Sequence, residues 1–375
     1  MAARVDYSYL AAKTNRELFI MPTTATASPA GAHIVLVTDA WLPQTNGVVR
    51  TLGITVDELQ QLGHTVTPIT PQDFNTIPCP TYPEIRLAVL PGRKLAKQLS
   101  NLTFDHIHIA TEGPIGMAAR RWCLKNGVPF STAFHTRFPE YISTRTGIPA
   151  RWGYIMMRRF HAPAKSVMVP TQTMIDTLVE HGFENAKLWA RGVHLDKFKP
   201  AATRPTVLDD LPRPIAICTG RVSVEKNLEA FLGMDWPGSK VIVGDGPQRA
   251  ELEKKYPNVR FTGKLSDADM IAHLQAADVF VFPSLTETFG NVVLEALACG
   301  LPVAAYPITG PKDILGLAPV PNKVGALDAD LATAAQAAVK DADRAACRAH
   351  AESFRWPVVT QQFLSHLAPA NKTNK

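Results

Sequence analysis

No apolar run in the 375 residues approaches the roughly 20 that a membrane-spanning helix needs. Before His33 the only apolar cluster is LFIM, too short for a signal-peptide core. Asp6 and Glu17 in the same segment argue against a transit peptide. Residues 1–32, rich in Thr, Ala and Pro at their end, are expected to be a poorly ordered extension. Cysteine is scarce: Cys79, Cys123, Cys218, Cys299 and Cys347 are odd in number and contain no C-x-x-C. A disulfide framework and a zinc site are therefore not expected, and a reduced, cytoplasmic protein is. No G-x-G-x-x-G occurs, which removes the fingerprint of a dinucleotide-binding fold.

What is present is length for two domains and an uneven charge. The net charge is +6. Residues 33–200 hold 18 Lys and Arg against 12 Asp and Glu, whereas residues 201–375 hold 18 against 19. Within the first half, Arg86 to Lys165 contains 13 basic and 3 acidic residues. Such a patch suits an anionic membrane surface, nucleic acid or plain solubility. No recognised nucleic-acid motif accompanies it, and nucleic acid is not expected as a partner.

Strand-like and helix-like segments alternate along both halves, the pattern of doubly wound parallel sheets. IVLV, TVTPIT, IRLAVL, the segment around His106–Ile109 and Val128–Phe134 read as strands of the first sheet. The Pro- and Asp-rich stretch Ala201–Pro214 reads as a linker. Residues 33–200 and 201–375 are the expected domains, with the last helix able to pack back on the first.

Ligands of open α/β sheets gather at the carboxyl ends of strands, and the candidates lie there. In the first half these are the small turn at Gly47, Glu112 and His135. His106 and His108 alternate on one strand and are more simply structural. In ARWGYIMMRRFH, Trp152 and other apolar residues mix with Arg151, Arg158 and Arg159. Either an interfacial membrane helix or an ordinary sheet-packed helix would look so. In the second half, Arg221 and Lys226 flank a turn after IAICTG, and two cations there suit a diphosphate. VFVFPSLTETFGNVVLEALACG then gives strand, loop and helix. Glu287 stands in the loop and Glu295 inside the helix, with Thr288, Phe289, Gly290 and Asn291 at the helix start, where backbone amides favour an anion. Glu287 alone reads as a capping residue; Glu295 in an apolar helix calls for a partner. Three D-A-D triplets (267–269, 328–330, 341–343) sit at helix starts or in Ala-rich helices and read as caps or solvated residues.

The E-x7-E of Glu287 and Glu295, GNVVLEALACGLPV, TGRVSVEKN, VGDGP, RFTG and QTNGVVR occur in the order and spacing of glycosyltransferase family 4, which the chain resembles from His33 to Leu367. The resemblance implies a GT-B fold: two Rossmann-like domains around a cleft, with a nucleotide sugar held mainly by the second. It implies a retaining hexosyltransferase without metal or other cofactor. Glu295 would hold the ribose; Glu287 and the amides of Thr288–Asn291 would meet the sugar and phosphate. Arg221 and Lys226 would neutralise the departing diphosphate, Gly47 would let the first loop approach it, and His135 would lie near the donor sugar. Retention in the family is usually assigned to front-face attack.

TDAWLPQTNGVVRTL, HTRFPEY and AYPITGPKDI are similar to bacterial diacylglycerol glycosyltransferases and related sulfoquinovosyl and mannosyl lipid transferases. They point to UDP-glucose or UDP-glucuronate as donor and a membrane lipid as acceptor, with the basic first domain, including Glu112, Trp152, Arg158 and Arg159, on the acceptor and membrane side. The protein would then be peripheral on the inner face of the cytoplasmic membrane. The alternatives are a GDP-mannose-dependent enzyme, an oligosaccharide or soluble acceptor, and a nucleotide-sugar epimerase of the same fold. A phosphorylase is disfavoured, since no segment signals a pyridoxal lysine.

Overall fold

Ile34 to Val37 are completely buried, as an unbroken apolar run dictates when both faces of its strand are covered. This strand, β1 (His33–Val37), pairs in parallel with β2 (Thr65–Ile69). The computed structural model describes residues 31–44, 46–79, 82–316 and 323–370. Apart from Gly31 and Ala32, the expected N-terminal extension lies outside the described residues.

The next strand-like stretch departs from expectation. IRLAVL does not join the parallel sheet. β3 (Thr76–Cys79) and β4 (Tyr82–Ala88) form a separate antiparallel pair with an irregularity at Pro78 and Cys79. Pro78 and Pro83 lack the N–H that a central strand must donate on both sides, so a two-stranded ribbon is where they fit. Arg86 fastens it by donating to Thr76 Oγ1 and Thr76 O.

β5 (His106–Ile109), β6 (Ser131–Ala133), β7 (Ser166–Val169) and β8 (Ala186–Leu188) complete the first sheet in the order β2-β1-β5-β6-β7-β8. β6 is shorter than the Val128–Phe134 run. Phe130 and Phe134 are buried on either side of it, and their backbones extend the pairing: Phe134 N donates to Met168 O and Phe130 O accepts from Lys165 N.

The second sheet contains β9 (Ile215–Thr219), β10 (Ser239–Val243), β11 (Arg260–Phe261), β12 (Val279–Phe282), β13 (Val303–Ala305) and β14 (Gly325–Leu327). It is parallel throughout, in the doubly wound order β11-β10-β9-β12-β13-β14. In each sheet the winding reverses once: between β1 and β5 in the first, and between β9 and β12 in the second. Crevices open at the carboxyl ends of such strand pairs.

The two sheets share apolar core. Leu52 on the helix Gly47–Gln61, Trp189 after β8, Phe289 beside β12, and Phe354 and Phe363 near the carboxyl terminus belong to one buried cluster. The helix Trp356–Ser365 returns to the first sheet and packs against the helix Gly47–Gln61. Beyond it, His366 O accepts from Ser166 Oγ on β7 and its Nε2 bonds Leu188 O on β8, Ala370 N donates to Asp105 O, and the His106 ring reaches Ala368 O.

Several histidines are buried in this core. Burial pushes His108 down to about 3 and holds His135 well below its ordinary range. The folded protein therefore leaves both neutral in mild acid, whereas the unfolded chain protonates them below about pH 6.5. Stability is lost as pH falls through that range, by about 1.4 kcal/mol per group one unit below it. Asp39 and Glu295, raised by burial, work in the opposite direction at lower pH. Unfolding free energies from urea titrations at about pH 7.5 and 5.5 should differ by about 3 kcal/mol in favour of the higher pH; equal values would contradict the neutral state of the two imidazoles.

Candidate active site

The second sheet's reversal places the loops after β9 and β12 side by side, because those strands are paired. Asn227 closes the first loop with φ 50° and donates from Nδ2 to Pro283 O at 3.0 Å, tying it to the second. Lys226 Nζ lies 3.0 Å from Glu287 Oε2. Burial works against the lysine's charge, but Glu287 outweighs it and the pKa is raised. Glu287 Oε1 accepts from the amide of Thr288 at 3.0 Å. Arg221, on the same loop, is exposed. The VGDGP turn is clamped behind it: Val222 N donates to Asp245 O, and a Cβ on Gly244 would lie 1.8 Å from Gly220 O. Glycine is required there by contact as well as by its φ of 148°.

The helix Asn291–Ala298 starts at Gly290, whose φ is 88°, with no side-chain cap and no acidic residue in its first turn. Val293 N donates to Gly290 O, and the amides of Asn291 and Val292 are left for another acceptor. Phe289 is a core residue, its ring 6.4 Å from that of Phe354. A side-chain contact with a ligand is not its role.

Glu295 is buried, and its partner comes from the other domain. Arg50 Nη2 on the helix Gly47–Gln61 is 2.8 Å from Glu295 Oε1. Burial raises the carboxyl's pKa and Arg50 opposes that. Arg50, Thr51, His194, Asn291 and Glu295 line one narrow pocket with Gly192, Val193 and Trp356. Gly47 begins the same helix with open space over its Cα, while Asn46 Oδ1 caps it by accepting from Val48 N and Val49 N.

Replacing Arg50 with alanine leaves Glu295 buried without its cation. Half of the Arg50 side chain is in solvent, so the expected loss is about 1–2 kcal/mol, below that of a fully buried pair. A denaturant titration checks it; an unchanged midpoint would mean that the ion pair contributes nothing to stability.

At the first sheet's reversal stands Asp39, which sequence reasoning missed. It is buried, accepts from Ile115 N, Gly116 N and Thr111 Oγ1, and so caps the helix Pro114–Lys125. Glu112 lies nearby but is engaged: His161 Nε2 is 3.1 Å from its Oε1, and His161 Nδ1 contacts Thr132 Oγ1. His135 follows β6 and is buried. Its Nδ1 accepts from Nη2 of Arg191 at 2.9 Å, a second residue that sequence reasoning missed. Arg191 stands in no periodic pattern that reveals its burial, and Arg50, exposed on its helix, shows its role only through the buried Glu295 it meets.

The helix Ala150–His161 has two faces. Tyr154, Met157 and Phe160 face the core, with Tyr154 Oη donating to Glu140 Oε1 at 2.6 Å. These aromatics are therefore not interfacial. Trp152, Ile155 and Met156 are exposed beside Arg151, Arg158 and Arg159, and Phe138 and Ile148 are exposed as well. Among the described residues no helix is long and apolar enough to cross a membrane, and no group of three or more His, Cys, Asp or Glu is placed to hold a metal. The D-A-D triplets supply helix caps: Asp330 to Thr333 N and Asp343 to Ala345 N. Ser266, just before the first triplet, caps its helix through Asp269 N.

Two doubly wound parallel sheets, with site loops at the carboxyl ends of their strands, are the architecture of the GT-B fold. A sucrose-phosphate synthase from Thermosynechococcus elongatus has this fold, with a TM-score of 0.65 at 21% identity over 88% of this chain and 97% of that one. Residues 45–197 match the model of Glycosyltransferase Family 4, and residues 213–341 that of Glycosyl transferases group 1. A GDP-mannose-dependent alpha-mannosyltransferase of Mycolicibacterium smegmatis is 30% identical over 89% of this chain and 96% of its own length. An alpha-monoglucosyldiacylglycerol synthase of Streptococcus pneumoniae is 26% identical over 73% and 71%. The chain belongs to glycosyltransferase family 4 and is a hexosyltransferase.

Proposed function

We propose that this enzyme transfers a hexose or hexuronic acid, with retention, from a nucleotide sugar to a membrane lipid of the diacylglycerol type. The observation that carries the donor half is the Lys226–Glu287 pair at the reversal of the second sheet, beside an uncapped helix start. Arg221 and Lys226 supply positive charge to a leaving diphosphate, which would otherwise call for a metal ion. Glu287 serves as partner to Lys226 and as acceptor for sugar hydroxyls, and Glu295 holds the ribose once Arg50 shares or releases it. Gly47 and His135 complete the opposite wall. The acceptor half rests on the exposed Trp152, Ile155 and Met156 with their arginines and on the diacylglycerol named for the pneumococcal relative.

UDP-glucose and UDP-glucuronate are the leading donors. GDP-mannose is the second reading, favoured by the mycobacterial relative. Incubating the full chain with radiolabelled UDP-glucose, UDP-glucuronate and GDP-mannose, with and without diacylglycerol vesicles, separates them. Label in a chloroform-soluble product from a UDP-sugar is the expected result. Product from GDP-mannose alone would select the second reading. Label only in water-soluble saccharide would reject the lipid acceptor.

A further inference from the structure

His135 and Arg191 form a buried pair, and the donor machinery described above gives Arg191 no part. A guanidinium has only donors, so the 2.9 Å contact from Arg191 Nη2 makes His135 Nδ1 the acceptor. Nδ1 then carries no proton, and in the neutral ring the proton sits on Nε2. That nitrogen is fully buried and has no hydrogen-bond partner among the described residues, a costly state unless something supplies an acceptor. Arg191 is itself buried and is held by Trp189 O and Ala190 O, with its guanidinium 4.7 Å from the Trp189 ring centroid. Burial brings it down to about 9, so it stays charged at neutral pH. The residues that follow it, Gly192 to His194, line the pocket with Asn291 and Glu295.

We propose that Arg191 is a positioning residue that fixes His135 as the neutral Nε2–H tautomer, so that His135 meets the bound donor sugar as a hydrogen-bond donor and never as a general base. The sugar contact rests on the reading of the cleft given above; the tautomer does not. The titratable groups facing His135 all oppose its protonation: Arg191 after β8, His108 on β5 and His161 at the end of the helix Ala150–His161. The Trp189 ring closes another side, 5.8 Å away between centroids. An imidazole held in this way has no lone pair left for the proton of an acceptor hydroxyl. Its Nε2–H is matched instead to a hydroxyl or ring oxygen of the sugar acting as acceptor.

The test is nitrogen NMR of the full chain labelled in histidine, with the His135 signals assigned by their loss in His135→Gln. Between about pH 5 and 8 the ligand-free protein should show a protonated Nε2, a bare Nδ1 and no titration. A proton on Nδ1, or a midpoint within that range, would overturn the tautomer. In Arg191→Met the tautomer preference should be lost, with part of the proton moving to Nδ1 while burial keeps the ring neutral, and kcat/KM should fall on the order of 10-fold. Arg191→Lys, which keeps one donor, should restore the tautomer and most of the rate; equal behaviour of Met and Lys would reduce Arg191 to packing. If Arg191→Met does not fold, the wild-type spectrum still decides the tautomer. Addition of UDP-glucose or GDP-mannose should shift Nε2–H where UDP or GDP alone does not. A shift with the diphosphates alone, or with none of these ligands, would overturn the sugar contact. Turnover by the wild-type enzyme, measured separately, distinguishes that outcome from failure of the donor-cleft reading.

Discussion

Lys226→Ala lowers turnover about 100-fold, close to 3 kcal/mol of transition-state stabilisation. As the glycosidic bond breaks, negative charge accumulates on the diphosphate, and a fixed cation stabilises that state more than the ground state. Lys226 is held in place by Glu287 at 3.0 Å and kept charged by it. Arg221→Ala has a comparable effect through the exposed guanidinium on the same loop. Glu287→Ala also falls about 100-fold, for a different reason: it frees Lys226 to wander and removes an acceptor for the sugar. Because Lys226 and Glu287 form a pair, the double substitution should cost far less than the sum of the two singles. Steady-state kinetics on the three single variants and the double decide it. Near-normal kcat in all three singles would remove the donor assignment from this loop pair.

Arg158→Gln with Arg159→Gln weakens binding to anionic vesicles by about 30-fold, since each arginine near such a surface contributes roughly 1 kcal/mol. Trp152→Ala removes another 1–2 kcal/mol or so, the order expected for withdrawing an aromatic side chain from an apolar medium. The fold should survive all three changes. The Trp152 side chain is mostly in solvent, and Arg159 serves the structure through its backbone carbonyl, which accepts from Arg120 Nη2. The buried side of the helix, with Tyr154, Met157 and Phe160, is untouched. Vesicle sedimentation at low and physiological salt measures the effect. Binding equal to wild type in the triple variant would place the membrane surface elsewhere on the molecule or remove it.

Candidate residues close in sequence are legible as groups that the fold also holds together. Glu287, Gly290 and Glu295 share one strand–loop–helix unit, and Arg221 and Lys226 one turn, so local spacing was enough to place them. Residues whose role depends on a distant partner were not. Arg50 reads as a solvated cation on an amphipathic helix until the second domain brings Glu295 to it. Asp39 reads as a loop carboxylate until the helix Pro114–Lys125 places its amides on it. Arg191 stands between elements, in a stretch with no period to report its burial. The IRLAVL strand was assigned to the wrong sheet although Pro78 and Pro83 carried the warning: apolar content alone gave a strand, and the missing donors forbade the centre of a ladder. Glu112 reads as a candidate at a strand end, and its partner His161, on a helix much later in the chain, is not legible from local spacing.

A crystal structure of the full chain with an unreactive nucleotide-sugar analogue tests the central claim most directly. The diphosphate should lie between Arg221 and Lys226 at the start of the helix Asn291–Ala298, with the ribose hydroxyls on Glu295 and the sugar reaching toward His135. A diphosphate bound elsewhere, with the Lys226–Glu287 and Arg50–Glu295 pairs undisturbed, would contradict it.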